Sequence, residues 1–277
     1  MSTRGSEDSE KIPSGVKHEG GLRPAGPSLD GFRNLVDKEN REWASGWSWL
    51  VHGAVWLLLV AGLPLVVSFI RAQGGNPAQD VNEIGALLYF VMGSVATVIA
   101  VVAKTQSAII GEKQSGTAAW VLSKPTSRKA FVLAKLMVHL RWLLILTLGV
   151  PAVVFYAITP AISGLPIAIL PFLGGFGILA LGMLFYLTLS LLLGSVFGSR
   201  GAVAALVFGF FVGGVMLSQY AEWMTAAFPW LFWESAYYLV AQSRELSAVG
   251  VSAIVLTAVW CVILAAAALW SFERSEV

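Results

Sequence analysis

The chain has 277 residues, 57% hydrophobic and only 12% charged, with a mean hydropathy of +0.75 and a formal net charge of +2. These proportions exclude an ordinary soluble globular domain, and the apolar residues fall in long blocks, so the class is a polytopic helical membrane protein. The single cysteine, Cys261, excludes an internal disulfide and a cysteine zinc cluster. There is no GxxxxGK[ST] and no Gly-Lys dipeptide, so any nucleotide hydrolysis tied to this chain belongs to another one.

Residues 1–28 mix Ser, Gly, Pro, Lys and Glu with few large apolar side chains and are expected to be a disordered tail. The membrane domain then runs from 29 to 277. It opens on an amphipathic helix over 29–44, with Phe32, Leu35, Val36 and Trp43 on one face and Arg33, Asp37, Lys38 and Arg41 elsewhere. Ser45-Gly46 interrupts that pattern, so the helix is read as lying in the interface rather than continuing into the bilayer.

Six spans follow, near 47–70, 83–103, 136–158, 167–197, 201–220 and 250–272, each long enough for a hydrocarbon core of about 30 Å. The third carries His139 and Arg141 at its start, where they can snorkel to the interface. The fourth is long, and Pro171 with Gly174, Gly175 and Gly177 predicts a bend or tilt in its first part. Gly209 and Gly213 in the fifth give a small-xxx-small pattern that suits close helix packing, within one subunit or between two. Before the last span, Trp223, Phe228, Trp230, Phe232, Trp233, Tyr237 and Tyr238 predict short helices on or dipping into the outer leaflet, broken at Pro229. Plain interfacial anchoring is the simpler role for these rings.

Lys and Arg set the orientation. Seven precede the first span and seven lie between Lys104 and Arg141; with Arg200 and Arg274 this makes 16 of 18 on one side, and only Arg71 and Arg244 face the other. Both termini are therefore expected in the cytoplasm, with the protein in the plasma membrane.

Chemistry of its own is hard to place. His52 and His139 belong to no HExxH, and no GxSxG occurs, so metal, cofactor and protease readings fall away. No acidic side chain stands at a span centre, which argues against an ion-coupled carrier. The distinctive stretch is instead polar: Ile110 to Lys135, between the second and third spans. Gly116-Thr117 can start a short helix and Ala118 to Leu122 give it an apolar surface. Pro125 ends it, and Thr126 or Ser127 can cap a second helix from Arg128 onward. The product is a helical elbow offering Trp120 and several charges to a soluble partner.

Glu112, three residues, Gly116-Thr117, Val121-Leu122, Pro125, Arg128 and Lys135 resemble a motif of ATP-binding cassette type-2 permeases. There the order is Glu, three residues, Gly-Thr, a Leu pair, Pro, Arg, then Lys; Val121 replaces the first leucine. The six-span layout, amphipathic first helix and interfacial segment extend the resemblance over nearly everything after residue 28. It implies an all-α membrane subunit of an exporter with no cofactor of its own, ATP being bound by an ATP-binding subunit. A second permease subunit, identical or different, membrane lipids and no nucleic acid complete the implied partners. The elbow would be the coupling helix, with Glu112, Gly116, Thr117, Trp120, Leu122, Pro125 and Arg128 meeting the ATPase. Glu112 would tie it to the amphipathic helix through Arg33, Lys38 or Arg41, and Gly209 and Gly213 would suit a helix-packing or dimer contact. By the same kinship the substrate would be a lipid, drug or peptide. A membrane scaffold or assembly factor, binding a soluble protein without transport, is the competing reading.

Overall fold

The computed structural model describes residues 31–105, 110–111, 127–242 and 244–274. The tail 1–28 and the elbow positions Glu112, Gly116, Thr117, Trp120, Leu122 and Pro125 lie outside these residues. Helix α1 (Phe32–Ala44) precedes six apolar helices: α2 (Ser48–Gln73), α3 (Ala78–Thr105), α4 (Arg128–Ser163), α5 (Ile169–Val196), α6 (Arg200–Leu217) and, last in the chain, α9 (Ala248–Arg274). Between α6 and α9 come a single turn α7 (Glu222–Thr225), a 3-10 turn at Pro229–Leu231 and α8 (Phe232–Ala241). The helices mostly exceed the apolar blocks that mark them, because a helix continues until its terminal N–H groups find a cap. Ser127 does this for α4, accepting from the Ala130 N–H at 3.0 Å, so the helix starts at Arg128, ahead of the apolar run.

Two spans widen partway along. Leu57–Gly62 in α2 and Leu144–Gly149 in α4 are π-helical, and each ends just before a proline, Pro64 and Pro151. A proline has no N–H and its ring collides with the carbonyl four residues back. Adding one residue to the turn moves that carbonyl aside, and the preceding N–H groups of Leu63 and Val150 reach back five residues, to Leu58 and Ile145. The two widened turns also pack against each other.

The fourth span is one unbroken helix. Pro171 sits in its first turn, where a missing N–H loses no bond. Its glycines serve as points of close approach: a Cβ on Gly175 would come within 2.7 Å of Phe90, and one on Gly174 within 2.8 Å of Leu239.

The segment before the last span dips inward. Phe232, at the start of α8, lies beside Gly182, about 20 Å along α5 from Ile169 at about 1.5 Å per residue. Leu239 and Val240, near the end of α8, lie back beside Gly174 and Gly175. Pro229 thus turns a re-entrant hairpin rather than merely ending a surface helix. Phe228 and Trp230 stack at 4.9 Å, Phe228 stacks on Trp260 of α9 at 5.8 Å, and Phe210 of α6 meets both hairpin rings. The aromatic residues therefore divide: Trp223 is 72% exposed, as an interfacial anchor would be, whereas Trp230 and Phe232 fill the space between spans.

Gly214 admits the hairpin, since a Cβ there would overlap the Trp230 indole, while a Cβ on neighbouring Gly213 would meet nothing within 4 Å. Gly214→Ala is expected to destabilise the purified protein by about 1–3 kcal/mol, the usual scale of overpacking. Gly213→Ala should leave the thermal midpoint of the detergent-solubilised monomer unchanged. Equal midpoints for the two variants would contradict this packing.

Candidate functional site

The ends of α1, α2, α3, α4 and α9 gather at the end of the bundle where the elbow leaves α3 and returns to α4. The amphipathic helix supplies the first contact. Leu35 and Trp43 are buried, and Phe32 and Val36 pack against the same core, while Arg33, Asp37 and Arg41 are exposed. On the inward face, between Leu35 and Trp43, stands Glu39.

Glu39 accepts a hydrogen bond from the Lys135 ammonium at 2.8 Å, and the two residues are 3% and 2% exposed. Lys38 approaches Glu39 at 3.8 Å and Glu42 at 3.4 Å. The Lys135 ammonium also lies 4.9 Å from the Phe131 ring, which stacks on Phe272 of α9 at 5.2 Å. A buried charge without a partner carries a large desolvation penalty, so this pair clamps α1 to the start of α4.

A second layer lies alongside. Asn40 accepts from the Arg141 guanidinium and from the Trp142 indole N–H at 3.2 Å. Trp43 stacks on Trp142 at 6.0 Å and meets His52 and His139 edge-on at 5.8 and 5.6 Å. Lys104, at the end of α3, lies 4.8 Å from the Trp43 ring and donates to the Ser48 hydroxyl at 3.0 Å. Arg141 is exposed and bonded to α1. His139 is buried instead of snorkelling, because Trp43 covers it and its Nδ1 lies 3.0 Å from the Lys135 carbonyl oxygen.

Of the elbow residues singled out from sequence, Arg128 is within the described structure. It donates to the Glu273 carbonyl at 2.8 Å, and neighbouring Lys129 pairs with the Glu273 carboxylate at 3.3 Å. The return from the elbow is thereby fastened to the last span as well as to α1. Gly209 and Gly213 lie elsewhere, on α6, where no other part of this chain within the described residues comes within 4 Å of a Cβ at either position.

Sequence reasoning passed over Glu39, Asn40 and the His52–Trp43–His139 stack. A signal for Glu39 was present: it falls four residues after Leu35 and four before Trp43, so a carboxylate interrupts the apolar stripe. Its partner had no local signal. Nothing in the chain near residue 39 indicates a lysine almost a hundred positions later.

Glu39→Gln or Lys135→Met alone should break the buried pair, lowering stability by about 3–5 kcal/mol. The double variant Glu39→Leu/Lys135→Met should recover most of that loss. Strictly additive losses in a double-mutant cycle, read by thermal unfolding in detergent, would show that the two side chains do not act as a pair.

No curated protein matches the chain. A family model described as ABC-2 family transporter protein matches residues 33–277, from the second residue of α1 through the last span. That match embraces every helix described above, and with six helices among the described residues long and apolar enough to cross a membrane it agrees with a multi-pass permease. The chain belongs to the ABC-2 family of transporter proteins.

Proposed function

We propose that the chain is the membrane-spanning permease subunit of an ATP-driven exporter, moved by an ATP-binding subunit that docks at the elbow. The observation that carries this reading is the clamp beneath the elbow. Two buried side chains, Glu39 and Lys135, join the amphipathic helix to the segment through which the elbow re-enters the bundle, and Arg128 and Lys129 join that segment to α9. A push on the elbow would then reach α1, α4 and α9 together. A free-standing loop would absorb the same push.

On this reading Glu112, Gly116, Thr117, Trp120, Leu122 and Pro125 form the docking face, a short helix set in a groove of the ATPase. Trp120, Val121 and Leu122 supply apolar contact, and Lys124, Arg128 and Lys129 supply electrostatic steering and rim pairing. Both termini lie in the cytoplasm of a plasma-membrane protein, as the 16 of 18 basic residues on that side support.

A second permease copy would cover α6. Only 17% of its most apolar stretch is buried in this chain, against 61% for α3, and Gly209 and Gly213 lie on its open face, allowing another helix to come close. A lipid, drug or peptide is the substrate class that a permease of this size suits by kinship.

The test is co-purification with a candidate ATP-binding subunit, followed by ATP turnover. Gly116→Pro should abolish capture or coupled turnover, and Glu112→Ala should lower turnover at least severalfold; wild-type capture and turnover in both would overturn the elbow assignment. Capture without any stimulated turnover or transport in the wild type would favour a scaffold. Separately, Gly209→Leu/Gly213→Leu should shift the full chain from dimer to monomer in light scattering. A dimer unaffected by that change would place the subunit contact elsewhere.

A further inference from the structure

At the end of the bundle opposite the clamp, a cavity of about 450 Å³ opens between the re-entrant hairpin, the end of α6 and the first turns of α9. Its size is within the range of pockets that hold small organic ligands, about 300–1,000 Å³. Its walls are graded. Phe228 and Phe232 form the deep part; Phe228 stacks on Trp260, about 18 Å along α9 from Ala248 at about 1.5 Å per residue. Tyr238 stands higher on the wall, and Glu234, Arg244 and Glu245 line the cavity with it.

These three charges do not neutralise one another. Among the described residues neither carboxylate has an ion-pair partner within 4 Å, and the Arg244 guanidinium lies over the Tyr238 ring, 5.6 Å from its centre. Arg244 and Glu245 are exposed and Glu234 is half-buried. Among the described residues, Arg244 and Arg71 are the basic side chains at this end, the others standing toward the elbow end. The orientation rule disfavours a cation here, so a second contribution is needed to account for it.

We propose that this cavity binds the headgroup of a zwitterionic phospholipid, with Arg244 holding the phosphate and Glu234 and Glu245 facing the ammonium. A guanidinium forks onto phosphate oxygens, carboxylates accept from an ammonium, and the aromatic floor takes the first part of an acyl chain. A purely anionic headgroup would meet two carboxylates, and a purely cationic one would meet Arg244. One headgroup carrying both charges answers all three side chains. This inference goes beyond the transport reading and stands without it, because binding needs no ATPase.

The test is native mass spectrometry of the full chain released from detergent and titrated with dioleoyl phosphatidylethanolamine, dioleoyl phosphatidylglycerol or a dioleoyl trimethylammonium lipid lacking phosphate. Phosphatidylethanolamine should be retained in preference to both others. Arg244→Gln and Glu234→Gln should each weaken that retention about tenfold, the scale of one charge-assisted hydrogen bond. Arg200→Gln, at the other end of the bundle, should not, and unchanged thermal midpoints would show that all three variants fold. Equal retention of phosphatidylglycerol, stronger retention of the cationic lipid, or undiminished retention in Arg244→Gln would each overturn the assignment.

Discussion

The buried Glu39–Lys135 ion pair organises the end of the molecule where the chain leaves α3 and returns to α4. Glu39 and Lys135 are separated by two whole spans and the elbow in sequence and by 2.8 Å in space. Neither could be buried alone, because removing either charge from water without compensation costs several kcal/mol. Together they hold α1 against α4 in one register, since sliding the helix by a turn would pull the two charges apart. The surrounding contacts share this dependence: Asn40 reaches Arg141 and Trp142, and Trp43 reaches His139, only when Glu39 faces Lys135. The clamp is therefore as much a register device as a source of stability.

The bundle behind it is shaped by residues that remove atoms rather than add them. Pro64 and Pro151 each delete an N–H and widen the preceding turn, and the widened turns of α2 and α4 meet. Gly175 and Gly214 delete a Cβ where Phe90 and Trp230 must enter. In a bilayer the apolar effect does not hold helices together, so close fit and polar contacts take over that role. The re-entrant hairpin is the clearest result. It brings an irregular turn to mid-depth, a placement tolerated because protein surrounds it on every side described: α5 at Gly182, α6 at Gly214 and α9 at Trp260.

Seen from function, the two ends of the molecule are built differently. The elbow end is cross-tied by ion pairs and hydrogen bonds among α1, α4 and α9. The opposite end holds a cavity whose charged lining residues, among the described residues, have no ion-pair partner within 4 Å. Between them α6 presents an open face, with space over Gly209 and Gly213 for a further helix. ABC-2 permeases generally work with an ATP-binding subunit, and the cross-tied end is the one that carries the polar connection.

Much of this was written plainly in the sequence. Blocks of about twenty apolar residues left no alternative to membrane helices, because a backbone in hydrocarbon must satisfy its own hydrogen bonds. Ser127 was a legible cap, and the spacing of Phe32, Leu35, Val36 and Trp43 marked the face of α1 that meets the core. Those signals are local, confined to a few turns of one helix. What tertiary structure alone decided was long-range: that Glu39 meets Lys135, that two prolines widen turns that face one another, and that the aromatic segment turns inward at Pro229. Each depends on which helix lies beside which, and close packing in a membrane is settled by shape and by the pairing of distant polar groups, neither of which leaves a periodic trace along the chain.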